Sequence, residues 1–333
     1  MIGFILMFIA MLCIVGYGQY LIALTFFHNG FIAIGLFLLM FSPMWISRCK
    51  VPFSVEKIVN YIGYIYMGSN LYLIPMVFIH SIFAFPVYFY LIPLFIVIYG
   101  IYNCRHIIIK EYNIEAPFNA DIALISDIHL GYQIGAKQFQ KMIDKVNSVK
   151  ADYVFIAGDL CDMNFDVVIK QDLFSMLDSI NGPVYMIMGN HDNYTNKIKE
   201  LKEEVGKTKV ILLDDEVIHL DQFTIIGRND AQMSKKTLDD FEFGNYNIVM
   251  DHTPSRIQES VDHKVDLHLS GHTHNGQLWP LQLVTNHIFK VGYGYKKFAS
   301  TNVVVSGGIG YWGPMNKSSG PCEVTLLKLK KPD

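Results

Sequence analysis

Two histidines one residue apart, His272 and His274, lie in the stretch LSGHTHNGQLWP directly after a short apolar run. Imidazole is a common metal ligand, so the pair is a candidate for metal binding. A turn that carries two solvated rings would have the same local sequence. Other residues that can bind metal must therefore decide between the two interpretations.

Four further short motifs, SDIHLG, AGDLCD, MGNHDN and MDHTP, each follow an apolar run that predicts a buried strand. In open α/β sheets, ligands bind outside the carboxyl ends of the strands, so side chains at these positions are expected to converge. The five motifs together favour a metal site over a solvated turn. The candidate ligands are Asp127, His129, Asp159, Asn190, His252, His272 and His274.

This set combines carboxylate and amide oxygens with imidazoles and contains no thiolate. Such ligands suit Mn²⁺, Fe or Zn²⁺ in a reactive site better than a soft metal or a structural zinc ion. Seven ligands are too many for one four-coordinate ion but fit two ions that share a carboxylate. Paired ions polarise a phosphoryl oxygen and generate a hydroxide nucleophile near neutral pH, so the set predicts phosphoester hydrolysis.

In order and spacing, the five motifs resemble the calcineurin-like metallophosphoesterase superfamily over residues 119–330. SDIHLG, GHTHNGQ and VVVSGGIG are similar to its membrane-associated bacterial branch, which has N-terminal transmembrane helices. The resemblance implies an α/β fold, a two-sheet sandwich with helices outside. It also implies two ions bridged by Asp159, the first bound by Asp127, His129, Asp159 and His274 and the second by Asp159, Asn190, His252 and His272.

The same resemblance implies catalytic roles for two neighbouring residues. His191 is expected to stay unliganded and to protonate the leaving oxygen, and Asp192 is expected to orient its ring. A hydroxide that bridges the two ions is the implied nucleophile.

Three residues near these motifs leave alternatives open. Asn275 stands where the branch commonly has a second glycine, so it predicts a stiffer loop or an amide that faces substrate. Cys161 lies between Asp159 and Asp162, and a reactive thiol there would make activity depend on reducing conditions. Arg228 follows a predicted strand and fits either a substrate phosphate or a surface ion pair.

The N-terminal part has a different composition from the rest. Although 51% of the 333 residues are hydrophobic, residues 1–104 contain only four charged side chains, Arg48, Lys50, Glu56 and Lys57. Four apolar runs, residues 3–26, 30–46, 58–79 and 83–103, are long enough to predict membrane spans, and no cleaved signal peptide is expected. We therefore predict a transmembrane anchor over residues 1–104, a linker over 105–120 and a metallophosphoesterase domain over 121–333.

The basic cluster of Arg48, Lys50 and Lys57 follows the second predicted span, which places this loop in the cytoplasm by the positive-inside tendency. With four spans, the catalytic domain then also faces the cytoplasm of a bacterial cell. The five cysteines show no paired spacing, which agrees with a reducing compartment.

The function predicted from the sequence is hydrolysis of a phosphodiester, pyrophosphate or phosphomonoester at the membrane, with a lipid-linked substrate favoured. Soluble nucleotides or phosphoproteins are the alternative substrates, and a non-catalytic metal-binding sensor or scaffold is the alternative class. A transporter is disfavoured because the spans are almost free of ionisable residues. No nucleic-acid partner is expected.

The predicted sidedness can be tested with a reporter that is active only outside the cytoplasm. Fused to the C-terminus, it is expected to be silent, because four spans return the chain to the cytoplasmic side. A cytoplasm-active reporter at the same position is the control and should give signal. The opposite pair of signals would show an odd number of spans between the basic loop and the catalytic domain, or an inverted anchor.

Overall fold

The computed structural model describes residues 2–332. The chain forms two compact units: a helical unit of residues 1–101 with Gly313–Asn316, and a second unit of residues 102–312 with 317–333. The second unit contains the predicted metallophosphoesterase domain, and we call it the catalytic unit after that prediction. The predicted linker is not a free connection, since most of it is a strand of the catalytic unit, Ile107–Glu115.

The helical unit contains α1 (Ile2–Phe27), α2 (Ile32–Met40), α3 (Ser42–Trp45), α4 (Phe53–Phe83) and most of α5 (Leu91–Asn103). Two helical segments, Ile5–Phe27 and Phe53–Phe83, have the length and hydropathy of candidate membrane spans. They lie in α1 and α4, which pack together around a buried hydrogen bond of 2.7 Å from the Gln19 amide to the Asn70 side-chain oxygen.

The four predicted runs therefore yield two candidate spans. The run at 30–46 is divided where α2 ends, and Pro43, which has no N–H to donate, stands at the start of α3. Nine helical residues extend about 14 Å, roughly half of the hydrocarbon core. The run at 83–103 becomes a shorter apolar helical stretch, Val87–Asn103.

The span count also determines sidedness. With α1 and α4 as the sole crossings, the loop that carries Arg48 and Lys50 and the catalytic unit would lie on opposite sides of the bilayer. The positive-inside tendency would then place the catalytic unit outside the cytoplasm. The two reporters described above therefore also distinguish two crossings from four.

The catalytic unit is built from two six-stranded sheets. The first has the order β1-β12-β2-β3-β4-β5, and the second has the order β10-β11-β9-β8-β7-β6. The strands are β1 (Ile107–Glu115), β2 (Ala120–Ile125), β3 (Tyr153–Ala157), β4 (Val184–Ile187), β5 (Ile211–Leu212), β6 (Glu216–His219), β7 (Thr224–Arg228), β8 (Asn247–Asp251), β9 (Leu267–Ser270), β10 (Gly294–Phe298), β11 (Thr301–Val305) and β12 (Cys322–Lys330).

Each sheet has a parallel centre. Strands β2, β3, β4 and β5 run parallel in the first sheet, as do β7, β8, β9 and β11 in the second. Buried side chains from both sheets, such as Leu124, Phe155, Ile248 and Leu269, belong to one core cluster. The expected α/β sandwich of two sheets is confirmed.

Helices of the catalytic unit follow the strands: α6 (Ala136–Ser148), α7 (Phe165–Lys170), α8 (Asn190–Tyr194), α9 (Ile198–Gly206), α10 (Ile257–Asp262) and α11 (Gln282–Ile288). Helix α6 buries Phe139, Met142, Ile143 and Val146, whose spacing puts them on one face. Helix α7 is short: it ends at Lys170, Asp172 has a left-handed φ of 50°, and a short 3₁₀ helix, Ser175–Ser179, follows.

A buried lysine holds the glycine-rich loop after β11. The Lys317 ammonium donates hydrogen bonds to the backbone oxygens of Gly307, Gly308 and Gly310, at 2.5, 2.9 and 3.2 Å. The Gly310 N–H in turn donates to the Asp127 backbone oxygen at 3.1 Å. An ammonium has three donors, and all three are directed at this loop, which lies beside a candidate metal ligand.

We expect Lys317→Met to lower the melting temperature of the detergent-solubilised chain. The substitution leaves three backbone oxygens buried without their donor, at a cost of about 2–4 kcal/mol, or roughly 5–10 °C for a unit of this size. Differential scanning fluorimetry measures the change. Lys297→Met, at an exposed position of β10, is the control and should melt like the parent. Equal melting of the two variants would contradict the role of Lys317.

Candidate metal centre

All seven predicted ligands lie together at the carboxyl ends of the parallel strands. Asp127 and His129 follow β2, Asp159 follows β3, and Asn190 follows β4 in the first sheet. From the second sheet, His252 follows β8, and His272 and His274 follow β9. The two sheets therefore contribute their loops to a shared cluster.

The backbone at these positions is unusual. Five of the candidate ligands have a left-handed φ, between 50° and 70°: Asp127, His129, Asp159, His272 and His274. Each such non-glycine residue costs about 1 kcal/mol relative to an ordinary conformation. Hydrogen bonds between the loops hold the conformation, for example from the Asp127 N–H to the Gly158 oxygen at 3.0 Å and from the His129 N–H to the Asp159 oxygen at 3.1 Å.

The first group of candidate ligands comprises Asp127, His129 and His274, all buried. The Nε2 atom of His274 lies 3.3 Å from the Asp127 carboxylate and 3.1 Å from Nε2 of His129. Burial lowers the pKa of His129 to about 3 and also lowers the pKa of His274, so both rings are neutral. Burial raises the pKa of Asp127, but nearby imidazoles outweigh burial and hold it well below its usual range.

The second group comprises Asp159, His252 and His272. The side-chain oxygen of Asn190 joins it, at 3.0 Å from His252 Nε2 and 2.8 Å from His272 Nδ1. His252 places Nδ1 at 2.8 Å from the Ala157 oxygen, which fixes the proton on Nδ1 and directs Nε2 toward the cluster. Asn190 and the two imidazoles thus face one point.

Asp159 connects the two groups. One carboxylate oxygen, Oδ2, lies 3.1 Å from His252 Nε2 and 3.8 Å from His129 Nε2, while Oδ1 accepts a hydrogen bond from the His191 N–H at 2.8 Å. Burial raises the pKa of Asp159, but the charge and hydrogen bond of His252 and the charge of His129 outweigh burial and lower it. Its carboxylate is therefore ionised and available to both sides.

These residues fit a pair of divalent cations. The Nε2 atoms of two neutral, buried rings, His129 and His274, face each other, and their Nδ1 atoms have no hydrogen-bond partner among the described residues. A cation placed beside these two nitrogens could accept a lone pair from each ring. The backbone leaves room for the cluster: a Cβ added to Gly189 would lie 2.1 Å from Asp159 Oδ1, and one added to Gly271 would lie 2.6 Å from Asp127 Oδ2.

His252 carries a proton that a cation would have to displace. Burial lowers its pKa, but the charge and hydrogen bond of Asp159, with the charge of Asp127, outweigh burial and raise the pKa to about 10. Binding of a metal at this end therefore releases a proton, and metal affinity rises with pH over the range below the pKa.

Comparison with known proteins agrees with this chemistry. The profile of the family described as calcineurin-like phosphoesterase matches residues 120–276. These residues form a calcineurin-like metallophosphoesterase domain.

Several relatives of the chain are named as metallophosphoesterases. An "uncharacterized metallophosphoesterase" of Helicobacter pylori is 31% identical over 221 residues, covering 62% of this chain and 59% of the relative. One of Aquifex aeolicus is 26% identical, covering 67% and 91%. A "transmembrane protein with metallophosphoesterase domain" of Bos taurus is 26% identical, covering 63% and 53%. The chain thus matches less than two thirds of the length of the Helicobacter and Bos relatives.

The metallophosphoesterase domain places a different carboxylate beside His191 from the one predicted. His191 Nδ1 lies 3.3 Å from Oδ1 of Asp162. The Asp192 carboxylate instead accepts hydrogen bonds from the N–H groups of Leu160, Cys161 and Gly189, because the tight turn that begins α8 directs it back toward the loop after β3. Asp192 therefore positions two loops. The prediction that Asp192 orients the His191 ring is wrong, because the carboxylate that contacts this ring is that of Asp162.

The environment of His191 favours its charged form. Burial lowers its pKa, but the hydrogen bond to Asp162 and the charges of Asp159, Asp162 and Asp127 outweigh burial and raise it. The ring is partly exposed, unlike those of His129 and His252. A half-buried imidazole with a raised pKa beside the candidate metal ligands is suited to donate a proton.

The open alternatives for three residues are resolved by their contacts. Arg228 is buried, with Nη1 at 2.8 Å from Glu259 and 3.6 Å from Asp251, so it belongs to a buried ion pair that does not face substrate. Asn275 has a left-handed φ of 52°, and its side-chain amide donates a hydrogen bond of 3.3 Å to the Ser319 backbone oxygen. This hydrogen bond joins two loops. Burial raises the pKa of Cys161 well above its usual range, so its thiol is protonated and unreactive.

The motifs did not predict one supporting interaction, a clamp that Arg256 forms on Asp251 next to His252. Arg256 donates two hydrogen bonds of 2.7 Å to the Asp251 carboxylate and a third, also of 2.7 Å, to the Asn229 backbone oxygen. Asp251 ends β8 and directly precedes His252, so the clamp fixes the strand end that carries this ligand. The signal available in sequence was the acidic residue next to a candidate ligand with an arginine five positions later.

We expect His274→Ala to reduce the bound metal of the purified chain toward one ion, because the first group loses an imidazole while the second is unchanged. Elemental analysis after loading with Mn²⁺ and dialysis measures the ratio. His287→Ala, at an exposed position of α11, is the matched control and should keep the parent ratio. An unchanged ratio in His274→Ala would show that this ring does not bind metal.

Proposed function

We propose that the chain is a membrane-anchored phosphoesterase that hydrolyses a P–O bond with two divalent ions. The observation that carries the proposal is the pair of ligand groups joined at Asp159, with His191 paired to Asp162 beside them. Asp127, His129, Asp159 and His274 would hold the first ion, and Asp159, Asn190, His252 and His272 the second. When bound, such ions stabilise charge on a phosphoryl group and activate water; Mn²⁺, Fe or Zn²⁺ each suit these donors.

The protein residues have separate tasks in this proposal. His191 donates a proton from its ring to the leaving oxygen, and Asp162 holds the ring through Nδ1 so that Nε2 faces substrate. Asp192 and the Arg256–Asp251 pair keep the loops in place, since their hydrogen bonds end on backbone groups or on strand β8. Asp192, Arg256 and Asp251 do not need to contact substrate in this proposal.

The anchor favours a substrate that is itself in the membrane. Helices α1 and α4 contain the two candidate spans, which would hold the catalytic unit near a bilayer. A lipid-linked phosphodiester or pyrophosphate is therefore the proposed substrate class. We propose that the catalytic unit lies on the cytoplasmic side of a bacterial cell membrane, where the five cysteines remain free thiols. The two reporters test this side against the opposite side, which two crossings would give.

The activity is tested with the purified full chain, Mn²⁺ and a chromogenic aryl phosphodiester. We expect turnover in the parent and none above background in Asp159→Asn, because the substitution removes the shared carboxylate charge. His287→Ala is the control for handling and should retain the parent rate. Absence of turnover in the parent with each of Mn²⁺, Fe²⁺ and Zn²⁺ would refute the proposal.

His191→Ala separates proton donation from metal binding. We expect both ions to be retained and turnover to fall by about 10²–10⁴-fold with poor leaving groups, which need a proton, and far less with nitrophenolate. A series of aryl phosphodiesters with increasing leaving-group pKa measures the dependence. A uniform loss across the series would contradict the general-acid role.

A further inference from the structure

One helix of the catalytic unit has no buried residue. Helix α11 (Gln282–Ile288) lies between Gly276 and Gly292, and none of its seven residues is buried, although Leu283, Val284 and Ile288 are apolar. Their exposed fractions are 67, 51 and 64%. By contrast, α6, α7, α9 and α10 each bury apolar side chains. A helix of two turns is unstable alone, so α11 needs a second source of stabilisation.

The residues before α11 extend the apolar surface. Trp279 is 50% exposed and Leu281 is 38% exposed. The segment is held to the catalytic unit by polar contacts, from the Trp279 N–H to Ser318 Oγ at 2.9 Å and from Ser319 Oγ to the Gln282 side chain at 3.3 Å. We call Trp279, Leu281, Leu283, Val284 and Ile288 the apolar face. It is fixed in place by backbone and polar contacts while its large side chains stay in solvent.

The charge around the apolar face differs from that of the whole chain. The protein has a net charge of −3, yet residues 267–312 contain no Asp or Glu. Their charged side chains are Lys290, Lys296 and Lys297, all exposed. An apolar helix with a neighbouring tryptophan and lysines but no acids is the composition of segments that lie in the headgroup region of anionic membranes.

The apolar face is also close to the candidate metal centre. Phe289, which directly follows α11, has its ring centroid 6.2 Å from that of His272. The chain runs from His274 to Trp279 in five residues. A surface that touches the apolar face is therefore next to the ligand loop of β9.

We propose that the apolar face docks on the headgroup region of an anionic lipid bilayer. The apolar side chains would enter the bilayer, and Lys290, Lys296 and Lys297 would pair with lipid phosphates. The catalytic part of this proposal rests on the proposed function. Docking would bring the metal centre to the level of a lipid-linked phosphoester. The partner is the lipid surface, so the proposal is independent of which headgroup is hydrolysed.

Fluorescence quenching tests docking without reference to catalysis. The full chain with Trp45→Phe and Trp312→Phe keeps Trp279 as its single tryptophan. In vesicles of phosphatidylcholine and phosphatidylglycerol with brominated acyl chains, we expect strong quenching of Trp279 that weakens at high salt. The control has all three tryptophans replaced by Phe and Ile169→Trp, a position on α7 of similar exposure, 41%; its emission should be unaffected.

Quenching no greater for Trp279 than for the Ile169→Trp control would overturn the proposal. So would a dimer of the full chain that Leu283→Glu disrupts, because a second copy would then cover the face. Asp159→Asn should show the same Trp279 quenching as the active chain, which separates a failure of docking from a failure of hydrolysis.

Kinetics provide the second arm. Leu283→Glu with Ile288→Glu is expected to reduce hydrolysis of a phospholipid phosphoester in anionic vesicles by about tenfold or more, since two apolar side chains that would enter the bilayer are lost. Turnover of the soluble aryl phosphodiester should stay within about twofold of the parent, because neither residue lies in the metal centre. Ile169→Glu is the matched control. Equal effects on both substrates, or on neither, would overturn the docking role.

Discussion

The structure depends on one electrostatic constraint: two ionised carboxylates and three imidazoles are buried within a few ångströms of each other, and a fourth imidazole, that of His272, is partly buried beside them. Asp127 and Asp159 contact imidazoles, backbone N–H groups and the Ser126 hydroxyl, and the imidazoles outweigh the effect of burial on the pKa of each carboxyl. Burying charge in this way is costly unless counter-ions are present. Divalent cations satisfy the carboxylates and the facing imidazole nitrogens at the same time, so the same ions that would perform the chemistry would also stabilise the junction of the two sheets.

This constraint explains the unusual backbone. Carboxyl ends of parallel strands from two sheets bring the loops close together, but the side chains must still turn inward within one or two residues. Left-handed conformations at Asp127, His129, Asp159, His272 and His274 accomplish this turn. Supporting groups further out hold the loops: Lys317 binds the glycine-rich loop, Arg256 clamps Asp251, and Asp192 accepts three backbone N–H groups. The rigidity of the centre is thus distributed over residues that do not bind metal.

The helical unit and α11 would address the same physical problem from two directions. Spans in α1 and α4 would keep the catalytic unit near a membrane, but attachment through the spans does not by itself determine which surface of the unit faces the bilayer. An apolar, acid-free surface beside the ligand loop of β9 would orient it, because apolar burial and attraction to anionic lipid act together. Contact with the lipid surface would then determine both how the catalytic unit is oriented and which substrates reach the metal centre.

The sequence by itself determined which side chains form the candidate metal cluster, because the order of the motifs and their positions at strand ends can be recognised from local sequence. It also determined the two-sheet class and the location of the apolar N-terminal part. Local pattern could not decide how runs of similar hydropathy divide into helices, so two of four predicted spans became shorter helices. Only tertiary structure decided that Asp162 rather than Asp192 contacts His191, that Arg228 is buried in an ion pair, and that α11 is left uncovered. Each of these depends on where loops from different strands meet, and that meeting is set by the packing of two sheets, which no local stretch of sequence encodes.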